Sequence, residues 1–339
     1  MKSKPLLPLI VFSLFFCGIG RSLIAQNNQQ DDDVIRVETD VTNLPFTASD
    51  KNNRFVTTLQ QSDIRVREDG VEQQLFTFQR ETDRPLSIAF LIDISQSEER
   101  TLPEEKRAAR SFIESVIQSK KDQAAIIPFT GSAFLEQGLT RDVFAIYRAL
   151  ERVEVAQPSY LGSGRPLTGI TSGPGMKRPP QEGSTAIWEA IALTASEVLA
   201  KSPVQRRRAI ILLTDGRDTT SRLKATEAID GALDAETVIY AIGIGDSKYE
   251  GVDRDVLRSI AERTGGRAFF PKKDADLKSV FTEIEQELRT QYLIAYSSTN
   301  KNRNGAYRQI RIEVTNPLLQ AEQLKLRYRP GYFAKPLSK

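Results

Sequence analysis

Histidine is absent from all 339 residues, and cysteine occurs once, as Cys17. Without histidine there is no Ser-His-Asp or Cys-His catalysis and no histidine-bearing zinc site. One cysteine excludes an intramolecular disulfide framework and any multi-cysteine metal site. Site chemistry is therefore left to oxygen ligands, lysine and arginine, and oxygen-only sites suit hard cations such as Mg²⁺.

Long apolar runs are also scarce. One follows Lys2 and Lys4, from Leu6 to about Gly20, and ends in small residues. A basic start, a short apolar core and a small-residue exit read as a secretory signal peptide over 1–25. Cleavage is expected after Ala25, with Gly20 as the alternative; an uncleaved anchor is the competing reading, although the core is short for a membrane span. Phe16 is bulky where lipidation of Cys17 would need a small neighbour. The whole chain carries 47 Lys+Arg against 44 Asp+Glu, a formal +3. Residues 1–25 hold Lys2, Lys4, Arg21 and no acid, so the mature chain is balanced and free of cysteine. That suits an exported protein at a periplasmic, cell-surface or extracellular address. No later stretch is apolar enough to form a transmembrane helix.

Residues 26–33 are polar and read as a disordered linker. Ile35, Val37, Thr39 and Val41 then alternate with polar residues, and Ile64 and Val66 lead into Asp69-Gly70, a hairpin signal. This gives a β segment over 34–80. From Leu86 the pattern changes. Leu86–Ile92, Ala124–Phe129, Ala209–Leu213 and Val238–Ile244 are almost continuously apolar, as parallel strands buried on both faces are. Helical periods lie between or after them: Ala109 to Ile117, Ile187 to Val198, Val256 to Ala261 and Leu277 to Leu288. The expectation is an α/β fold over 84–290, a doubly wound, mostly parallel sheet that binds ligands at the carboxyl ends of its strands. Past Arg289 the period returns to two, with strands at Tyr292–Tyr296, Ile310–Val314 and Leu324–Tyr328 and a turn at Asn304-Gly305. The β segments 34–80 and 291–335 are each too short to bury much core. They are expected to pair into one small domain; two independent appendages are the alternative. Residues 155–182 form a long Gly/Pro-rich loop.

Three oxygen-bearing segments fall at equivalent places. The first buried strand ends in Asp93-Ile94-Ser95-Gln96-Ser97. Gly183-Ser184-Thr185 opens a helix, and the strand Ala209–Leu213 ends in Thr214-Asp215-Gly216. All three tips lie on one edge of a parallel sheet. The hydroxyls of Ser95, Ser97 and Thr185 ligate without adding charge, while Asp93 and Asp215 supply two negative charges. The donor set fits one divalent cation, Mg²⁺ first, with Mn²⁺ or Ca²⁺ as alternatives. Such a cation stays electrophilic and accepts an Asp or Glu of a protein partner.

This pattern resembles the metal-ion-dependent adhesion site of the von Willebrand factor type A domain. The runs PLSIAFLIDIS, AIILLTDGRDT and VIYAIGIG resemble that domain's strands, over about 86–290. The layout is also similar to exported bacterial relatives of the family, with IRVREDGVEQQLFTF ahead of the domain and RTQYLIAYSS and RYRPGYFA behind it. The resemblance implies metal-dependent protein binding rather than catalysis. It places Asp93, Ser95, Ser97 and Thr185 on the metal and lets Asp215 act through water. Ser97-Glu98-Glu99 departs from the family pattern. Glu98 and Glu99 are expected either to stand near the site at the partner-binding rim, with Trp188 beside them, where they strengthen metal binding or repel an acidic partner, or to face solvent as the first turn of a helix.

Other readings are set against these. Asp218 is expected to cap or to pair with Arg217 or Arg222, and Arg206-Arg207-Arg208 to form a solvated strand edge rather than a nucleic-acid patch. A phosphate-ester hydrolase of the aspartyl-phosphate type needs a second carboxylate two residues after Asp93, where Ser95 stands. A structural scaffold in an envelope assembly, with a relic metal site, is the remaining alternative.

Overall fold

The computed structural model describes residues 41–81, 84–118, 120–156, 165–166, 184–245, 251–272 and 274–334. The expected leader, the linker, Ile35 to Thr39, Gly183 and nearly all of the Gly/Pro-rich loop lie outside the described residues. No helix among those described is long and apolar enough to cross a membrane.

The amino-terminal part holds strands β1 (Val41–Ser49), β2 (Ile64–Glu68), β3 (Val71–Glu72) and β4 (Leu75–Arg80). Next come β5 (Leu86–Asp93), helix α1 (Leu102–Val116), β6 (Gln123–Phe129), β7 (Phe134–Leu135), β8 (Gln137–Thr140), α2 (Val143–Arg152) and β9 (Arg165–Pro166). Helix α3 (Ile187–Leu193) runs on as a π-helical turn, Thr194–Leu199. Then follow β10 (Arg207–Thr214), α4 (Ala225–Asp234), β11 (Thr237–Gly243), α5 (Arg254–Thr264), β12 (Ala268–Phe269) and α6 (Asp274–Arg289). The chain closes with β13 (Tyr292–Ser297), β14 (Tyr307–Val314), α7 (Pro317–Ala321), β15 (Lys325–Tyr328) and β16 (Gly331–Phe333).

The central sheet has the order β12-β11-β10-β5-β6-β8. It is parallel except for β8, which runs antiparallel to β6 at the edge. Every residue of β5 and β11 is buried, because helices cover both faces. Leu86, Ile88, Phe90 and Ile92 point into a core shared with α1, α2 and α6; Ala89 and Leu91 point into a second core with α3, α4 and α5. In the first core the rings of Phe90 and Phe112 meet edge to face at 5.7 Å. Thus α1, leaving β5, covers one face, whereas α4, leaving β10, covers the other. The crossovers diverge between β5 and β10, and in such sheets that divergence opens a crevice at the carboxyl ends of the strands.

The flanking strands pair with each other across the chain. β15-β1-β13-β4 form one antiparallel sheet and β16-β14-β2-β3 another. Leu44, Phe46, Ile64, Val66, Tyr292, Ile294, Tyr296, Ile310 and Ile312 fill the single core between them. A buried carboxylate also joins the sheets: Glu68 accepts from Tyr296 Oη (2.9 Å), Tyr332 Oη (3.0 Å), Ser298 Oγ and Arg308 Nη1 (3.2 Å).

Asp69-Gly70 does make the expected hairpin between β2 and β3, with φ of 49° and 82°. Asn304-Gly305 does not: β13 and β14 belong to different sheets, so the turn carries the chain from one sheet to the other. The arginine triplet also departs from its expectation. Arg206 is only 7 % exposed and donates to Ser87 Oγ, Leu86 O and Lys121 O. Arg208 bonds Ala235 O and Ser202 O. These guanidiniums tie up carbonyls at the amino ends of the strands rather than forming a solvated edge.

Candidate metal centre

Asp93 ends β5 with no solvent exposure. Its Oδ1 accepts from Ser95 N–H at 2.9 Å, which folds the chain back into a 3₁₀ turn over Gln96–Glu98. The turn sets Ser95 Oγ 3.0 Å from Ser97 Oγ. Asp93 Oδ2 accepts from Thr214 Oγ1 at 2.6 Å, which joins the tips of β5 and β10. The next residue, Asp215, is 7 % exposed and accepts from Arg217 N–H at 2.9 Å and from the Ser97 hydroxyl. Gly216 turns the chain away with φ of 84°; a Cβ there would meet Leu257 at 2.9 Å and Asp253 O at 3.0 Å, so only glycine fits.

Thr185 reaches the same edge between two anchors. On one side, Thr130 follows Phe129, the β6 partner of Asp93. Thr130 Oγ1 donates to Ser184 O at 2.5 Å, and Ala186 N–H donates to Thr130 O at 2.8 Å. On the other side the loop after β10 clasps the start of α3. Thr185 N–H donates to Thr219 Oγ1 (2.7 Å), Ile187 N–H to Asp218 Oδ1 (2.8 Å) and Trp188 N–H to Ser221 Oγ (3.1 Å). Glu189 Oε1 accepts from the N–H groups of Arg222 and Leu223, and Thr185 O accepts from Thr219 and Thr220 N–H. The first N–H groups of a helix have no partner within it, and here the loop caps them. The Thr185 hydroxyl takes no part in the clasp. Asp218 is thus a capping residue, as the sequence suggested, but for α3 rather than for its own loop.

Glu98 and Glu99 part company. Glu99 is exposed. Glu98 is 0 % exposed, so it does not lie on a rim. The 3₁₀ turn directs it inward, where an oxygen from each of Asp93, Glu98 and Asp215 lies within 4.8 Å of the others. Glu98 Oε2 accepts from Thr101 Oγ1 at 2.6 Å, while Oε1 has no partner. Glu105 from α1 is 1 % exposed, and neither of its oxygens has a partner. Trp188, 9 % exposed, packs in the second core of the sheet rather than lining a rim.

Burial and mutual crowding raise all four carboxyls. Burial, with Asp215 nearby, pushes the Asp93 carboxyl up to about 6. Burial and then the charges of Glu105 and Asp93 push Glu98 up to about 10; burial lifts Glu105 to about 8. Burial raises Asp215 as well. Buried carboxylates that crowd one another are normally relieved by a proton or a cation. The donor set, carboxylates beside hydroxyls with an unpartnered buried oxygen among them, fits a hard cation. The cluster can hold a metal ion.

Sequence reasoning missed Glu105, although a signal was present. It stands three residues after Leu102 and four before Ala109, on the buried stripe of α1, where an acid is out of place.

Two family models, both described as the von Willebrand factor type A domain, match residues 88–217 and 176–283. No curated protein matches the chain. Among solved structures, the conserved hypothetical protein BatB from Bacteroides thetaiotaomicron is 20 % identical with a TM-score of 0.43, over 60 % of this chain and 98 % of that one. Proximal thread matrix protein 1 from the mussel byssus, in a form with a zinc-occupied MIDAS motif, is 19 % identical at a TM-score of 0.49, over 65 % of this chain and 50 % of that one. A von Willebrand factor type A protein from Catenulispora acidiphila is 15 % identical at 0.46, over 81 % and 74 %. The two family matches, which overlap and together run from residue 88 to residue 283 through all three oxygen-bearing segments, make this part of the chain a von Willebrand factor type A domain.

Proposed function

We propose that the protein is an exported, non-enzymatic, metal-dependent protein-binding module. Asp93, Ser95, Ser97, Thr185 and Asp215 hold a divalent cation at the crevice between β5 and β10. When bound, the cation supplies a Lewis-acidic position for an Asp or Glu of the partner. The paired strands at the two ends of the chain form one β domain, with the 84–290 domain inserted between them.

One observation carries this reading. Carboxylates and hydroxyls from separate strand ends converge at the switch point of the sheet, and one buried oxygen among them has no partner. The chain residues have clear tasks. Thr214 and Ser95 N–H orient Asp93; Gly216 aims Asp215; the clasp holds Thr185. A hydrolase reading is weaker, because Ser95 stands where such enzymes need an acid and no histidine exists to replace it.

The test is capture of a partner from an envelope extract of the source cell by the full chain, with divalent cations present or with EDTA. The proposal expects a partner that is retained with cation, released by EDTA, and lost with Asp93→Ala. Identical captures in all three conditions would contradict it.

A further inference from the structure

Glu98 changes what kind of cation the site suits. The family's motif, as it stands in this sequence, offers three hydroxyls and two aspartates. The structure adds a third carboxylate. Glu98 has no solvent exposure, has an oxygen within 4.8 Å of oxygens of both Asp93 and Asp215, and leaves Oε1 without any partner. Its other oxygen is held by Thr101 Oγ1 at 2.6 Å, so the carboxylate is fixed in place rather than free to swing outward. An unpartnered carboxylate oxygen buried this deeply costs free energy unless a ligand sits against it.

We propose that Glu98 is an inner ligand of the cation and makes this a calcium-selective site. The inference rests on the reading of the strand-end cluster as a cation site and adds the identity of the ion. Mg²⁺ is usually held by one or two carboxylates, keeps several waters and dehydrates reluctantly. Here Asp93, Ser95, Glu98, Thr185 and Asp215 are all buried, at 0 %, 3 %, 0 %, 4 % and 7 % exposure. Ca²⁺ takes six to eight oxygens, tolerates irregular geometry and gains affinity with each added carboxylate. The count of positions points the same way. Asp93, Ser95, Ser97, Glu98, Thr185 and Asp215 offer up to six protein oxygens, which would close an octahedral Mg²⁺ shell. A seven- or eight-coordinate Ca²⁺ keeps a position for the partner's carboxylate.

The test is calorimetric titration of the chelator-treated full chain with CaCl₂ and, separately, MgCl₂, for the wild type, Glu98→Gln and the exposed control Glu99→Gln. The wild type should bind Ca²⁺ tighter than Mg²⁺ by at least ~10-fold, and Glu98→Gln should lose about that factor for Ca²⁺ while changing little for Mg²⁺. Glu99→Gln should behave as wild type. If Glu98→Gln fails to fold, as circular dichroism would show, the wild-type preference alone decides. Equal or tighter Mg²⁺ binding by the wild type overturns the proposal, as does a Glu98→Gln variant that folds and keeps full Ca²⁺ preference. Failure of the wild type to bind either ion would instead remove the cation site itself, and the proposal with it.

Discussion

Asp218 touches no proposed metal ligand through its side chain, yet its removal should weaken the metal site. Its Oδ1 accepts from Ile187 N–H at 2.8 Å and from Ser221 Oγ at 2.5 Å. Asp218→Ala leaves the N–H of fully buried Ile187 without a partner. Losing a capping acceptor costs ~0.5–2 kcal/mol, and stranding a buried donor ~1–3 kcal/mol. A loss of about 2 kcal/mol lowers the melting temperature of a domain of this size by roughly 4–8 °C. The second effect is local. Ile187 and Trp188 are held by the loop that also holds Thr185, so a slack clasp frees Thr185 from its place ahead of α3. Outer partners of metal ligands typically contribute ~10–100-fold in affinity. Asp218→Asn keeps an acceptor oxygen and should restore most of both effects. Melting curves and calorimetric titration with Ca²⁺ and Mg²⁺ measure the two separately. An Asp218→Ala protein that melts earlier but binds cation with unchanged affinity would refute the reasoning, because the clasp would then support the fold and not the site.

Three other outcomes follow from the structure. Glu68→Ala strands the charge of Arg308, which is 5 % exposed, and should cost ~3–5 kcal/mol by chemical denaturation; a loss under ~1 kcal/mol would show that the buried pair is not the link between the two β sheets. In EDTA, stability should fall as pH rises. Carboxyls raised on folding stabilise fully below their unfolded values and lose that contribution as pH climbs through the folded ones, about 6 for Asp93 and about 8 for Glu105. Raising Asp93 from 3.8 to about 6 corresponds to about 3 kcal/mol, lost between about pH 4 and pH 7, and Glu105 extends the fall to about pH 8, so the melting temperature should drop between about pH 4 and pH 8 and be restored by divalent cation; a flat profile in EDTA would contradict it. Deleting 291–339 removes β13, which pairs with β1 and β4, and β14, which pairs with β2. Limited proteolysis should then digest residues 41–80 while the α/β domain resists, and protection of 41–80 would contradict the shared sandwich.

The sheet, and Asp93 and Asp215 at its strand ends, could be read from the sequence for a simple reason. Strands buried on both faces are continuous apolar runs, so Asp93 and Asp215 stand out where those runs end. Glu98 could not be read in that way. An acid after Ser97 looks like a solvated first turn, and only the direction of the 3₁₀ turn at Gln96–Glu98 shows that it faces inward. The clasp was hidden because Asp218 and Ile187 are thirty-one residues apart and neither has a periodic signature. The helices α2 and α4 were not anticipated; α4 carries Gly231 mid-helix, a residue that weakens any helical reading. In the β domain, alternation marked the strands but said nothing of partners more than 200 residues away. Pairing was inferred there only from the small size of each segment, and its form, two sheets rather than one, came from the structure.

The central claim is that oxygen atoms at two strand ends and one helix start hold one divalent cation. Titration of the chelator-treated full chain, read for stoichiometry, tests it most directly, with Asp93→Ala beside the wild type. The account predicts one cation per chain for the wild type and none at the site for Asp93→Ala, with both proteins folded. A wild-type chain that binds no cation, or an Asp93→Ala chain that binds one as tightly, would contradict it.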